Sequence, residues 1–258
     1  MQTNFLEVTE LAGDKVTKEQ VIRHCNRYYW AGHYCRGKDV IEAACGTGQG
    51  LEYLQSISRT LRGGDYSEPI VGIARQHYGD CLSVERFDAQ AMPVDNQSAD
   101  LVILFEAIYY LPDVKKFVGE CARILRPGGM VLICSANKDL YDFNPSPHTY
   151  KYYGVVELGA LVARHGFTAE FFGDTPVASA GSWEKALRWA KATAVRLGLM
   201  PRTMSGKKLL KWLVFGGLVD MPREIDAATA PVVTPKPIPS DQPYNDYKVV
   251  YCAARLPA

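Results

Sequence analysis

A glycine-rich stretch in the first quarter of the chain constrains the fold more than any other feature. Residues 39–51 read DVIEAACGTGQGL, an apolar segment of β character that runs into three closely spaced glycines. Gly46, Gly48 and Gly50 allow a tight turn into a helix that begins near Leu51, because glycine accepts conformations closed to other residues. A helix N-terminus offers free amide donors, and residues without Cβ atoms let a ligand approach the backbone. The stretch therefore predicts a nucleotide-type cofactor loop.

The glycine spacing separates the cofactors that such loops bind. A dinucleotide loop requires G-x-G-x-x-G and a phosphate loop requires G-x-x-x-x-G-K-[ST], and the segment ACGTGQG fits neither. The turn reads E-x-x-C-G-T-G and resembles the first motif of the class I S-adenosylmethionine-dependent methyltransferases, commonly written [DE]-x-[GA]-x-G-x-G. Ala44 stands where most members carry glycine. The resemblance implies that five residues contact the cofactor: Glu42, Ala44, Cys45, Gly46 and Gly48.

A second segment, LRGGDYSEPIVGIARQH at residues 61–77, resembles the next motif of the same family. In that motif an acidic residue at a strand end binds both ribose hydroxyls, which implies this role for Asp65 and a cofactor contact for Tyr66. A carboxylate suits the task because it accepts two hydrogen bonds at once. Ser67 is expected to cap the following helix. The alternative is that Asp65 only forms a turn with Ser67.

The segment VERFDAQAMPVDNQSADLVILFEAIYYLPD, residues 84–113, follows the family pattern further. The resemblance implies that Asp88 holds the adenine amino group and that the Ala89 amide meets the ring. Next to the strand end, Phe105 and Glu106 are expected cofactor contacts.

Two tyrosines, Tyr109 and Tyr110, replace the histidine pair of the related pattern N-x-L-H-H-x-x-D. Tyr109 is expected near the transferred methyl group, as a catalytic and substrate-binding residue. The alternative for these aromatic side chains is packing in the core.

The segment VGECARILRPGGMVLICSAN, residues 118–137, is the last landmark, so the resemblance spans residues 38–137. The fold it implies is α/β, with a Rossmann-like, seven-stranded, mostly parallel sheet, helices on both faces and an antiparallel last strand. The alternation of strand and helix patterns independently predicts right-handed crossovers. YKVVYCAARL at 247–256 is the expected last strand.

Four regions are expected along the chain. Residues 1–37 form an N-terminal helical lid, 38–174 the cofactor-binding core, 175–246 a helical substrate cap and 247–258 the final strand of the core. In the lid, Tyr29 is the favoured cofactor contact. The cap is expected to hold a helix that begins at Ser182 and a shorter second helix, both rich in lysine and arginine. That charge is either a solvated basic face or an attraction to an anionic substrate or membrane surface.

The loop after the fifth strand is the expected substrate wall, because ligands bind at the carboxyl ends of parallel strands. His148 in this loop is the candidate general base, since imidazole titrates near neutrality. Tyr150, Tyr152 and Tyr153 are the expected pocket residues. The alternatives are a structural role for His148 and simple packing for the tyrosines.

Composition narrows the remaining possibilities. A formal net charge of +1 argues against nucleic acid as a partner, and no apolar run of membrane-spanning length or signal peptide is visible, which predicts a cytoplasmic protein with no integral membrane segment. Seven scattered cysteines without a C-x-x-C pair predict no metal site.

The expected function is S-adenosylmethionine-dependent methylation of a small molecule, at oxygen on a sugar or secondary metabolite. An anionic acceptor and a homodimer are further expectations. Nitrogen or carbon acceptors and a noncatalytic S-adenosylmethionine-binding protein are the alternatives, and the loop spacing opposes a dinucleotide oxidoreductase.

Overall fold

Ten strands and five α-helices make up the part of the chain that the computed structural model describes, residues 5–140, 142–177, 193 and 217–258. The strands are β1 (Lys15–Val16), β2 (Asp39–Ala43), β3 (Thr60–Asp65), β4 (Ser83–Arg86), β5 (Ala99–Phe105), β6 (Leu125–Ala136), β7 (Thr168–Pro176), β8 (Val219–Asp220), β9 (Lys236–Ile238) and β10 (Tyr247–Arg255). The helices are α1 (Lys18–Cys35), α2 (Leu51–Gln55), α3 (Glu68–Tyr78), α4 (Val114–Ile124) and α5 (Val155–Ala163). Short 3₁₀ turns lie at Phe5–Glu7, Gly79–Cys81 and Ile108–Tyr110.

The central sheet has eight strands in the order β4-β3-β2-β5-β6-β10-β7-β9. The first five strands in this order, β4, β3, β2, β5 and β6, pair in parallel, and β10 lies antiparallel between β6 and β7. The α/β, mostly parallel fold with an antiparallel last strand is confirmed. The strand number is corrected from seven to eight, because β9 pairs antiparallel with the edge of β7. Pro237 is tolerated there because an edge strand has one side without ladder hydrogen bonds.

Strand β5 shows why the sequences of the central strands are continuous apolar segments. Val102 and Leu104 are fully buried in one core cluster with Phe117 of α4, and Leu101 and Ile103 are buried in the other with Trp30 of α1. Helices therefore cover both faces, as parallel sheets require. This leaves the carboxyl ends of the strands as the natural place for a ligand.

The N-terminal segment joins the end of the predicted insertion. Strand β1 pairs antiparallel with β8, with Lys15 opposite Asp220, and Ile225 N donates to Gln49 O at 2.8 Å. The two predicted cap helices, including the start at Ser182, lie outside the described residues. The division into lid, core, cap and final strand stays a prediction. Among the described helices, none combines the length and the apolarity needed to cross a bilayer.

Candidate cofactor and acceptor site

The loop between β2 and α2 turns through left-handed backbone. Ala44, Gly46 and Gly48 have φ of 55°, 61° and 88°. Ala44 is the only one of the three with a Cβ, and glycine is the favoured residue at such a φ, which explains the common family spelling at this position. A Cβ on Gly46 would meet nothing nearer than Thr9 Cγ2 at 3.9 Å, so this residue faces open space.

The next two glycines serve packing. A Cβ on Gly48 would lie 2.8 Å from the Tyr78 ring, and one on Gly50 would lie 2.0 Å from the Tyr28 ring. Real Cβ atoms do not approach this closely, so both glycines let an aromatic ring lie against the backbone. Gly48 therefore packs against the protein interior. It was predicted to contact the cofactor, but it does not line the cavity.

A cavity of about 570 Å³ lies at the carboxyl ends of β2, β3 and β5. The N-terminal segment and α1 close one side of it, and the loop after β6 closes another. Most of the predicted site residues line this one cavity: Ala44, Cys45, Gly46, Asp65, Tyr66, Asp88, Ala89, Phe105, Glu106, Tyr109, His148, Tyr150 and Tyr152.

The Asp65 carboxylate is fixed where β3 ends. Gly46 N donates to Oδ2 at 3.1 Å and Ser67 N donates to Oδ1 at 2.9 Å. Burial raises the pKa of Asp65, and these backbone amides oppose that rise. Asp65 lines the cavity, where a carboxylate can accept hydrogen bonds from a vicinal diol. Ser67 does occupy the N-cap of α3, but its side chain makes no capping bond; the expected cap is corrected, since Asp65 takes the Ser67 amide instead.

The turn after β4 carries the second acidic residue. Gln90 holds the Asp88 carboxylate through its backbone N, 2.9 Å from Oδ1, and through Nε2, 3.1 Å from Oδ1. Ala89 is buried beside it in the cavity wall. A positioned carboxylate next to a small residue fits a flat ring that carries an amino group.

Glu42 lies buried beneath the loop and outside the cavity wall. Tyr28 donates its hydroxyl to Glu42 Oε1 at 2.8 Å, while Oε2 is buried without a hydrogen-bond partner among the described residues. Burial raises the pKa of Glu42 to about 7. In this structure Glu42 acts through Tyr28, whose ring does line the cavity.

Helix α1 presents Tyr28 to the cavity and turns Tyr29 away. Tyr29 donates to Asp226 O at 2.7 Å and accepts from Ala230 N at 3.2 Å, and its ring packs on Tyr53. Consecutive helical residues point about 100° apart, so both cannot face the cofactor. The predicted cofactor residue Tyr29 therefore lies outside the cavity wall, and Tyr28 takes its place there.

Glu106 and Tyr109 form a bonded pair where β5 ends. Tyr109 donates its hydroxyl to Glu106 Oε2 at 2.8 Å, and Glu106 holds a left-handed backbone with φ of 51°. Burial raises the pKa of the Tyr109 phenol well above its ordinary value, and the Glu106 charge adds to that rise. Tyr109 is thus a neutral hydroxyl at physiological pH. A non-glycine residue held in this conformation is typical of functional sites.

Aromatic rings form the far wall. Tyr152 stacks on Tyr109 with ring centroids 4.2 Å apart, and Phe5 meets Tyr66 and Tyr110 edge to face at 6.3 and 5.7 Å. Tyr150 is 66% exposed at the rim.

His148 also lies at the rim, exposed and with a left-handed φ of 63°. Tyr153 does not line the cavity; its ring lies beneath the Lys151 ammonium, 4.8 Å from the centroid. Its predicted substrate contact is corrected on that ground.

A polar face of α1 was not predicted as part of the site. Gln20, Arg23, His24 and Arg27 stand at positions i, i+3, i+4 and i+7 of the helix, and all line the cavity. Such spacing places side chains on one helix face. The spacing was readable in the sequence, but a polar stripe on a helix normally faces solvent, and only the fold shows that this one faces inward.

Known proteins agree with this geometry. The family model described as a methyltransferase domain matches residues 41–133. A probable S-adenosylmethionine-dependent methyltransferase of Mycolicibacterium smegmatis is 33% identical over 152 residues, which is 57% of this chain and 59% of that protein. A ubiquinone biosynthesis O-methyltransferase of Sinorhizobium medicae is 29% identical over 126 residues, 48% of this chain and 51% of that protein. The chain thus matches little more than half the length of these relatives.

A solved structure from Thermotoga maritima, a S-adenosylmethionine-dependent methyltransferase described as a possible histamine N-methyltransferase, superposes with a TM-score of 0.58 at 15% identity, covering 92% of this chain and 91% of that one. At this identity the likeness shows the fold. Together with the domain match and the cavity, it confirms the resemblance drawn from the motifs. Residues 41–133 form a methyltransferase domain, and the chain is similar in sequence and in fold to S-adenosylmethionine-dependent methyltransferases of class I.

Proposed function

We propose that this domain transfers a methyl group from S-adenosylmethionine to a hydroxyl oxygen of a small molecule, a sugar or secondary metabolite. The observation that carries the proposal is a single cavity with two unlike ends. Asp65, Asp88 and the glycine loop form one end, and the aromatic wall of Tyr109, Tyr110 and Tyr152 forms the other. A donor and an acceptor held in one cavity are held at reacting distance.

The cofactor end acts by placement. S-adenosylmethionine supplies an already activated methyl group when bound. Asp65 would accept hydrogen bonds from both ribose hydroxyls, Asp88 and Ala89 would hold the adenine, and Gly46 would let the ligand lie against the backbone. Because each of these groups is fixed by backbone or by Gln90, little reorganisation is needed on binding.

At the other end of the cavity, aromatic rings would bind the methyl acceptor by stacking, and polar side chains would direct the loss of its proton. Tyr109 holds a hydroxyl beside Glu106, in a position to fix the acceptor oxygen. His148 at the rim is the proposed general base, which an alcohol acceptor needs because it is protonated at neutral pH. The Sinorhizobium medicae relative is an O-methyltransferase by name, which supports an oxygen acceptor. A homodimer, an anionic acceptor and a cytoplasmic location stay predictions.

A radiolabel assay tests the proposal. The protein is incubated with S-adenosylmethionine labelled in the methyl group and with matched sets of phenols, sugars, amines and carbon acids. We expect label in hydroxyl compounds, with His148→Gln lowering kcat and leaving the dissociation constant of S-adenosylhomocysteine unchanged. Label only in amines or carbon acids would move the assignment to those acceptors, and binding without transfer to any set would favour the noncatalytic alternative.

A further inference from the structure

We propose that His24 and Arg27 form a subsite for a carboxylate or similar oxyanion bound in the cavity. The inference deepens the proposed function and rests on it. It assigns a ligand contact to a helix face that none of the cofactor motifs includes.

The two side chains share one place on α1. They are three residues apart, both line the cavity, and Arg27 Nη2 lies 2.5 Å from His24 Nδ1. His24 is only 4% exposed. Two of their nitrogens, His24 Nε2 and Arg27 Nε, are buried without a hydrogen-bond partner among the described residues. Buried polar groups are rarely left unmatched, so a pair of them on a cavity wall indicates a ligand.

The protonation of His24 follows from its partner. A guanidinium only donates hydrogen bonds, so His24 Nδ1 must accept from Arg27. Burial lowers the pKa of His24 well below its ordinary value, and the charges of Arg27 and Arg23 lower it further. In a neutral imidazole that accepts at Nδ1, the proton is on Nε2. His24 Nε2 is therefore a donor and cannot serve as the base of the reaction.

The charged groups near His24 and Arg27 allow an anion to bind there. Glu10 Oε2 is 4.0 Å from His24 Nδ1, beyond hydrogen-bond distance, and Glu10 Oε1 accepts from Gln20 Nε2 at 2.9 Å. Burial lowers the pKa of Arg27, but interactions with neighbouring acidic groups, Glu106 and Glu10 among them, outweigh it and raise the pKa overall, so the guanidinium stays positive. Two N–H donors beside a permanent positive charge are complementary to a carboxylate.

Two molecules can supply that group: the amino-acid carboxylate of S-adenosylmethionine, or a carboxylate on the methyl acceptor. Calorimetric titration separates them. One arm compares S-adenosylhomocysteine with 5′-methylthioadenosine, which has the same adenosine but no amino-acid carboxylate. The other arm titrates benzoate into protein saturated with S-adenosylhomocysteine.

The variants are Arg27→Met and His24→Phe, which keep bulk and remove donors, and His24→Gln, which restores one donor. Arg62→Met is the control, because Arg62 is a half-buried β3 residue that is ion-paired with Glu85 and lies outside the cavity wall. Unchanged affinity for 5′-methylthioadenosine shows that each variant has kept its fold.

A loss of about ten- to hundredfold in S-adenosylhomocysteine affinity for Arg27→Met and His24→Phe, with partial recovery in His24→Gln, supports the subsite and assigns the cofactor carboxylate. A loss confined to benzoate supports it and assigns the acceptor. Unchanged affinity for both ligands would overturn the proposal. Failure of the wild type to bind either adenosyl ligand would instead refute the cofactor assignment beneath the proposed function.

Discussion

The Tyr109 hydroxyl lies 2.8 Å from Glu106 Oε2, and the two residues meet where the cofactor end of the cavity joins the aromatic wall. Tyr109 comes from the 3₁₀ turn after β5, while the left-handed backbone of Glu106 directs its carboxylate back toward that turn. The bond joins the end of a central strand to the acceptor side. It also makes the position of the Tyr109 hydroxyl dependent on one carboxylate.

Tyr109→Phe is expected to lower kcat about ten- to hundredfold while the affinity for S-adenosylhomocysteine stays unchanged, because the ring keeps its stack on Tyr152 and only the hydroxyl is lost. Steady-state kinetics and calorimetry on the same preparation measure both quantities. Tyr244→Phe, outside the cavity, is the control. Equal losses in kcat and in cofactor affinity would place Tyr109 in the cofactor site instead.

Asp65→Ala is expected to weaken S-adenosylhomocysteine binding by about 1 to 3 kcal/mol, the cost of leaving two ribose hydroxyls without their charged partner. Asp80→Ala, on the exposed turn after α3, should bind as the wild type does. Calorimetry gives both constants. An unchanged affinity in Asp65→Ala would remove the ribose role from this residue.

Glu42 predicts a pH dependence of stability. Its pKa is raised by burial from 4.5 to about 7, so the folded protein binds more protons than the unfolded chain between these values. The contribution of Glu42 to the free energy of unfolding therefore falls by about 3 kcal/mol in all as pH rises from about 4.5 to 7. Above that range it stays constant.

Glu42→Gln keeps an acceptor for Tyr28 and removes the titration. Urea unfolding at several pH values should show the variant gaining on the wild type as pH rises through this window. A difference between the two proteins that does not change with pH would show that Glu42 ionises normally in the folded state.

Gly50→Ala is expected to destabilise the protein by about 1 to 3 kcal/mol, because the new Cβ would lie 2.0 Å from the Tyr28 ring and force it to move. Cofactor affinity should fall with it, since Tyr28 lines the cavity. Gly72→Ala is the matched control: its Cβ would meet nothing within 4 Å, and alanine in helix α3 should stabilise by about 0.5 to 1 kcal/mol. Thermal unfolding that moves equally in both variants would contradict this account.

Sequence patterns predicted the parallel sheet and the glycine loop because both are local signals: a continuous apolar strand and a turn that only small residues permit. Strand β9 was missed because three residues in a proline-rich stretch show no alternation. Whether Tyr28 or Tyr29 faces the cavity depends on the rotation of α1 about its axis. Trp30 sets that rotation by packing on Tyr251, with ring centroids 4.8 Å apart, and these two residues are far apart in the sequence. The donors of His24 and Arg27 were missed for the same reason, since only tertiary structure turns a polar helix face inward.

The most direct test of the central claim is calorimetric titration of the purified protein with S-adenosylmethionine, S-adenosylhomocysteine and NAD in parallel. The account predicts micromolar binding of the first two, one molecule per chain, and no heat from NAD. Binding of NAD, or no measurable binding of either adenosyl ligand, would contradict it.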